Sequence, residues 1–484
     1  MRKWIPLAAV CLGAFMLLVD VSIVNVALPK MAADLNSSFT SLQWVVDIYA
    51  LTLAALLMAL GSLGDRLGHR RLYLTGLVVF AAASLACGLA PNAAMLITAR
   101  AVQGIGGAAM MTSTTALLAS AYQGRDRGTA FGVWGAVNGA AAAVGPVLGG
   151  LLTDQFGWRA IFFVNVPVAV VAVAMTVGFL KGGTGASRGR VDVAGAASFT
   201  LFAAALTYGL IESGDKGWGS FTALGSIGVG VLALIAFAVI QLRGANPLLD
   251  LSLLRNRTFL GLMLAGLLLT AAAFAELTYT SLWLQEALGL SPLSAGLAVS
   301  PMALSAFVVA LVSGKALHKV TPQPPIGVGL LLIGGGTMML AAVTASSGWT
   351  ALLPGLLVTG VGVGLSTPML MSTALAAVPP ARAGMASGAL STARQLGYAL
   401  GIAVLGTIFQ RHFHGTSLRA SFASGLDLVY LTAGATGLVA GVLVLALVRR
   451  HAAPGAGHPA SPVASSDADV PGAPGARTQD LVRD

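Results

Sequence analysis

The sequence predicts an all-α polytopic membrane protein, and three observations predict it. Of the 484 residues 56% are hydrophobic and only 9% charged, against about 25% charged in an ordinary soluble domain. The apolar residues fall into runs of about 20, the length that crosses a hydrocarbon core of about 30 Å as a helix. The cations gather in alternate loops, which is how a multi-pass chain fixes its orientation. The alternating pattern of a membrane β-barrel is absent.

Apolar windows bounded by charges or turn residues lie near 5–29, 42–63, 72–90, 94–119, 130–153, 160–180, 192–212, 220–242, 258–285, 292–315, 326–345, 350–377, 384–410 and 427–448. That is an expectation of fourteen transmembrane helices. With the N-terminus inside, eighteen Lys and Arg fall in cytoplasmic segments and five in outside loops. An odd number of spans would invert this bias beyond the miscounted helix, so the tally supports an even count and two cytoplasmic termini. The expected localisation is the bacterial cytoplasmic (inner) membrane. No cleavable signal is expected, because the first apolar run is too long and leads straight into a second. The 61 glycines suit helices that associate by close backbone approach in lipid.

The formal charge of +10 does not point to nucleic acid, since the basic residues are scattered through loops and form no stripe. Cys11 and Cys87 both sit in apolar runs without ligand-spaced partners, which reads as small buried hydrophobes and not as a redox or metal pair. Gly104-Ile105-Gly106-Gly107 has no preceding strand, so it is not a dinucleotide loop. There is no Gly-Lys-Ser/Thr phosphate loop, and no cofactor or metal is expected.

Aligning the fifth window on the thirteenth pairs Gly128 with Gly384, Gly132 with Gly388, Gly145 with Gly401 and Gly150 with Gly406. Two parallel six-helix halves with a helix pair inserted between them would give this offset. The expected organisation is an N-terminal half over 1–181, an inserted pair over 182–245, a C-terminal half over 246–450, and a disordered cytoplasmic tail over 451–484. The tail is rich in Pro, Ala, Ser, Gly and Asp and has almost nothing to bury.

Ionisable groups inside the apolar windows carry the chemistry. Asp20 lies a little past the middle of the first, where a charge costs about 2.5–3.5 kcal/mol on insertion scales, so it needs a partner or a wet cavity. A carboxyl that alternates between dry and wet surroundings is a proton carrier. Glu276 lies at similar depth in the ninth window, placed to add to the same cavity from the opposite half. Asp47 lies nearer the outer surface and reads either as a contact for cationic substrate or as an interfacial residue. Arg100 requires a carboxylate or carbonyls, and reads either as a tuner of a nearby acid or as one end of a structural salt bridge. Arg394 is its positional counterpart in the second half, with packing and coupling both open.

Several motifs resemble known ones. The loop Gly61-Ser62-Leu63-Gly64-Asp65-Arg66-Leu67-Gly68-His69-Arg70-Arg71 is similar to the G-x-x-x-D-R-x-G-x-R-R signature of the major facilitator superfamily. Leu18-Val19-Asp20-Val21-Ser22-Ile23-Val24-Asn25-Val26-Ala27-Leu28-Pro29 resembles the first-helix motif of the fourteen-helix drug:proton antiporters of the EmrB/QacA type, with Ser22 in place of the usual Thr. Arg100-Ala101-Val102-Gln103-Gly104 resembles the fourth-helix motif. Gly145-Pro146-Val147-Leu148-Gly149-Gly150 resembles the antiporter motif of the fifth, with Ala141 where a leading glycine is usual. Gly157-Trp158-Arg159-Ala160-Ile161-Phe162-Phe163-Val164-Asn165-Val166-Pro167 also fits, and its Trp158 and Arg159 read as an outer-surface belt. The resemblance covers about residues 5–450.

The resemblance implies the major facilitator fold and a proton-coupled exporter of small amphipathic compounds such as drugs, dyes or antibiotics, working as a monomer with protons, substrate and lipid as its only partners. It also implies a role in coupling for Arg100. Gly61, Asp65, Arg66, Gly68, Arg70 and Arg71 would form a latch between the halves on the cytoplasmic side. Arg70 and Arg71 alone read equally as membrane anchors, whereas an acid in the middle of the loop favours a latch. Gly145, Pro146, Gly149 and Gly150 would form a movable helix interface, proline loosening the helix and glycine admitting a neighbour. An exporter of a lipid-like metabolite and a proton-coupled importer share the fold and stay open. An enzyme would concentrate reactive groups at one membrane face, and a sensor would carry an output domain; the sequence has neither sign.

Overall fold

The computed structural model describes residues 2–122, 124–180, 192–244, 247–316, 320–378, 383–413 and 417–448. The expected tail over 451–484 and the expected boundary near 182 lie outside the described residues. Among the described residues the elements are all helical: α1 (Ile5–Leu35), α2 (Phe39–Leu67), α3 (His69–Gly88), α4 (Ala93–Ala121), α5 (Gly124–Phe156), α6 (Ala160–Phe163), α7 (Asn165–Phe179), α8 (Val193–Lys216), α9 (Phe221–Arg243), α10 (Arg257–Ala273), α11 (Leu277–Leu282), α12 (Pro292–Ala316), α13 (Gln323–Leu340), α14 (Leu353–Ala376), α15 (Ala383–His412) and α16 (Leu418–Leu447).

Helix starts are set by short polar side chains that accept from otherwise orphaned backbone N–H groups. Ser38 accepts from Ser41, Asn92 from Met95, Asp192 from Gly195, Ser220 from Ala223, Asn256 from Thr258, and Ser417 from Ala420. The α2–α3 turn pivots on Gly68, whose φ of 89° is a conformation that suits glycine and few other residues.

Twelve spans among the described residues are long and apolar enough to cross a membrane, against the fourteen expected. The two expected windows not among them, 130–153 and 384–410, are nevertheless helical within α5 and α15, of 33 and 30 residues. In α15, Arg394 and Gln395 dilute the mean hydropathy of a helix that is long enough to cross, whereas in α5 many side chains, among them those at 131, 132, 136, 139, 142 and 143, lie outside the described residues. A second difference concerns the expected window 258–285, which is interrupted: α10 ends at Ala273, Phe274 leaves the helical region at φ −122°, and α11 begins at Leu277. A π turn over Trp283–Ala287 follows.

Helices α1 to α7 pack among themselves, with α4 against α2 and α3, and α1 against α5 and α7. Helices α10 to α16 do likewise, α13 lying between α14 and α16. The two groups meet where α5 packs on α12, α2 on α15 and α1 on α11. Helices α8 and α9 pair with each other, and α8 alone reaches across the seam to both α2 and α15, with the Trp44 and Tyr208 rings 6.1 Å apart and Thr407 Oγ1 donating to the Leu210 carbonyl at 2.9 Å. The outer face of α9 is apolar and unburied, Phe221 being 91% exposed. That pattern is adverse in water and ordinary against lipid.

Candidate functional site

Asp20 is the central residue of α1 and is fully buried. Asn92 starts α4 eight residues before Arg100, and Arg100 and Gln103, three apart, share one face of that helix. Arg100 Nη1 donates to Asp20 Oδ2 at 2.6 Å and to Gln103 Oε1 at 2.8 Å, and its Nε donates to the Val45 carbonyl of α2 at 3.1 Å. Gln103 Nε2 donates to Asp20 Oδ1 at 2.9 Å, as does Asn165 Nδ2 from the start of α7, also at 2.9 Å. Ser84 Oγ of α3 accepts from Gln103 at 2.8 Å and from Asn165 at 3.3 Å. The guanidinium lies 4.1 Å over the Tyr49 ring, a cation–π contact within the usual range.

Asp20 therefore accepts three N–H donors and donates to none, the bonding pattern of an ionised carboxylate. Its ion pair with Arg100 ties α1, α2 and α4 together, with α3 and α7 added through the amides. Taking one partner away would leave a buried charge without compensation, which costs about 3–5 kcal/mol.

The other expected groups stand apart from this network. Asp47 on α2 is fully buried, and neither carboxylate oxygen has a hydrogen-bond partner among the described residues. Glu276 sits in the break between α10 and α11, fully buried; Oε2 accepts from Thr280 at 2.8 Å, while Oε1 has no partner among the described residues. Thr280 in turn lies 2.9 Å from the Tyr430 hydroxyl of α16. Arg394 on α15 has a buried Nε without a partner, and its carbonyl accepts from Thr270 Oγ1 at 2.6 Å. Among the described residues no hydrogen bond or ion pair joins Asp47, Glu276 or Arg394 to Asp20 or to one another.

Polar side chains that the motifs contain, or that the sequence reading passed over, join the two helix groups. Asn25, one and a half turns beyond Asp20, donates to the Tyr398 hydroxyl at 3.1 Å and accepts from Thr278 at 3.4 Å. Ser281 donates to the Asn25 carbonyl at 3.0 Å, and Gln285 to that of Val26 at 2.8 Å. Gln43 on α2 donates to the Tyr279 hydroxyl at 3.3 Å, which donates to the Ile402 carbonyl at 2.5 Å. The signal that could have found them is a buried amide or phenol inside an apolar window, since the large majority of such groups are hydrogen-bonded.

The Gly-Pro motif of α5 is held on both sides. A Cβ at Gly145 would overlap Ser22 of α1, and one at Gly149 would lie 2.8 Å from the Ile23 carbonyl. On the other face a Cβ at Gly150 would overlap the Pro292 carbonyl, and one at Gly296 the Pro146 carbonyl. Here α5 and α12 touch backbone to backbone.

In the expected latch, Arg66 and Arg71 are exposed, and Gly61 lies where an added Cβ would approach Thr112 at 4.0 Å. Arg70 Nη2 donates to the Val177 carbonyl at the end of α7 at 3.0 Å, a bond inside the α1–α7 group. The Asp65 side chain lies outside the described residues. Trp158 and Arg159 both donate to Asp34, at 2.9 and 3.0 Å, which fastens the C-terminal end of α1. Cys11 and Cys87 are buried and free.

A family model of the Major Facilitator Superfamily matches residues 10–402. The chain belongs to this superfamily. Among its major facilitator relatives are the multidrug resistance protein Stp of Mycobacterium tuberculosis, 35% identical over 84% of this chain and 75% of that one, and the methylenomycin A resistance protein of Streptomyces coelicolor, 33% identical over 92% of each. The multidrug efflux pump LfrA of Mycolicibacterium smegmatis is 34% identical over 84% of this chain and 81% of its own. A crystal structure of the peptide transporter POT with sulfate shares the fold at a TM-score of 0.66 and 16% identity, covering 91% of this chain and 94% of that one.

Proposed function

We propose that this major facilitator protein is a proton-coupled exporter of small amphipathic compounds, drugs or antibiotics, and confers resistance to them. The observation that carries the reading is that Asp20, Asp47 and Glu276 are fully buried in membrane-crossing helices while Asp47 and Glu276 lack partners for some or all of their oxygens. Carboxylates are placed at such depth at a cost that only function repays. The relatives named for multidrug resistance, methylenomycin A resistance and multidrug efflux support export as the direction.

In this reading Asp20 is the proton site, Arg100 its counter-ion, and Gln103, Asn165 and Ser84 the groups that hold its geometry. Asp47, Glu276 and Arg394 take part in handling substrate and proton. The glycines of α5 form the sliding contact, and the Gly61–Arg71 loop is the cytoplasmic latch. Helices α5 and α15 cross the membrane with the twelve more apolar spans, giving fourteen crossings arranged as two six-helix halves, 1–181 and 246–450, with the pair in 182–245 inserted. The protein lies in the cytoplasmic membrane with both termini inside, acts as a monomer and needs no cofactor. A potential of 100 mV supplies about 2.3 kcal/mol per charge moved, enough to sustain a substrate gradient of about fiftyfold with one proton.

The test is reconstitution in proteoliposomes under an imposed pH gradient, with a lipophilic cationic dye and a neutral antibiotic as cargo. Uphill movement that collapses with a protonophore supports the reading. Dye movement indifferent to the gradient would sink the coupling.

A further inference from the structure

One cavity of about 690 Å³ lies at the end of the bundle farthest from the N-terminus, bounded by the ends of α1 and α15, the starts of α2 and α16, and the π turn after α11. It does not touch Asp20, Asp47, Glu276 or Arg394. Its size suits one drug-sized molecule.

Its lining has a definite chemistry. Phe409, Phe413 and Phe422 form a cluster with ring centroids 5.2 to 5.6 Å apart, the Phe413 and Phe422 rings meeting edge to face. Glu286, exposed on the π turn, is the one ionisable group among the lining residues, and the Gln410 amide adds a polar contact. No basic side chain is among them. Aromatic faces and a carboxylate both attract a cation; the cation bonded to this turn, Arg419, donates to the Ala287 carbonyl at 3.0 Å and is not among the lining residues. The remaining walls, such as Leu282, are apolar.

The position adds to this. The Phe409 ring lies 5.5 Å from that of Tyr279, tilted by 30°, and the Tyr279 hydroxyl belongs to the polar joint between the helix groups. Gln285, beside Glu286, donates to the Val26 carbonyl in the same joint. The cavity therefore adjoins the joint, at the end of the bundle that the loop-charge bias assigns to the outside.

We propose that this cavity is an exit-side subsite that binds lipophilic aromatic monocations, Phe409, Phe413 and Phe422 holding the aromatic body and Glu286 the charge. The assignment rests on the exporter reading for its direction of use, but its occupancy can be measured without transport. A molecule released through the joint would pause here, where Glu286 favours cations over neutral or anionic cargo.

The experiment uses the full chain in lipid nanodiscs without a gradient, with ethidium as the probe. Ala33→Cys places a thiol on an exposed residue of the lining, while native Cys11 and Cys87 stay buried. Ethidium should protect that thiol from an impermeant maleimide. In Ala33→Cys/Glu286→Gln the half-protecting concentration should rise about tenfold, and in Ala33→Cys/Phe413→Leu about threefold, each a lost cation contact of ordinary strength. Glu286→Asp should restore most of the protection. Absence of protection in Ala33→Cys, or equal protection in all variants, overturns the subsite. Dye efflux in proteoliposomes is measured in parallel: efflux without protection retains the exporter and removes the subsite, whereas protection without efflux retains the subsite and removes the exporter.

Discussion

Arg100 donates to Asp20 across 2.6 Å, from α4 to α1, and neither side chain is more than 1% exposed. A buried ion pair contributes little by existing and costs much when halved. Asp20→Asn leaves Arg100 unpaired and removes the titrating group. It should lower the unfolding free energy by about 3–5 kcal/mol and abolish uphill efflux. Asp20→Asn/Arg100→Gln should recover much of the stability and none of the coupling. Thermal unfolding of the detergent-solubilised protein and gradient-driven efflux read the two effects separately; full pH-driven transport by Asp20→Asn would move the proton site elsewhere.

Asp47 and Glu276 should behave in the opposite way. Their oxygens without partners mean that Asp47→Asn and Glu276→Gln remove a desolvated acid and break at most the Thr280 contact. Stability should hold or rise, while efflux of a cationic dye falls by about tenfold, the equivalent of about 1.4 kcal/mol, and a neutral antibiotic is less affected. A drop in thermal stability with unchanged cation selectivity would mark these acids as structural.

The backbone contact of α5 with α12 offers a steric test. Gly150→Val and Gly296→Val each push a side chain into the carbonyl of Pro292 or Pro146, so the helices must separate. Both variants should insert and bind substrate yet transport at below about a tenth of the native rate, since one overpacked contact costs about 1–3 kcal/mol in the state that needs it. Native turnover with valine at both positions would show that α5 and α12 do not close during the cycle.

Orientation can be read with the same buried cysteines as a silent background. Ser220 starts α9, and the loop-charge bias puts it outside. Ser220→Cys in intact cells should react with an impermeant maleimide, and a cysteine at Arg2 should react only after the membrane is opened. Reversal of either result would overturn the assigned topology.

The windows of apolar residues anticipated the all-helical fold and the twelve spans found among the described residues, against fourteen expected, because membrane helices are read from length and hydropathy, which are local. The Asp20–Arg100 pairing was anticipated as a need, since each charge required a partner. What stayed hidden was tertiary. Gln103 and Asn165 stood inside quoted motifs without a role because an amide's role depends on which helix faces it. The break at Phe274–Glu276 carries no proline or glycine to announce it. Glu276 was expected to share a cavity with Asp20, but the break turns it toward Thr280 and Tyr430, where depth in the membrane gives no clue.

The joint made by Asn25, Gln43, Thr278, Tyr279, Ser281, Gln285 and Tyr398 is built from amides, hydroxyls and carbonyls alone. Among the described residues every ion pair, such as Asp20–Arg100 or Asp34–Arg159, stays within one helix group. Neutral dipoles hold at short range and are barely screened, whereas paired charges feel the electrolyte over about 10 Å at 0.1 M salt. The grip of one helix group on the other at this joint should therefore vary little with ionic strength, in fresh as in saline surroundings.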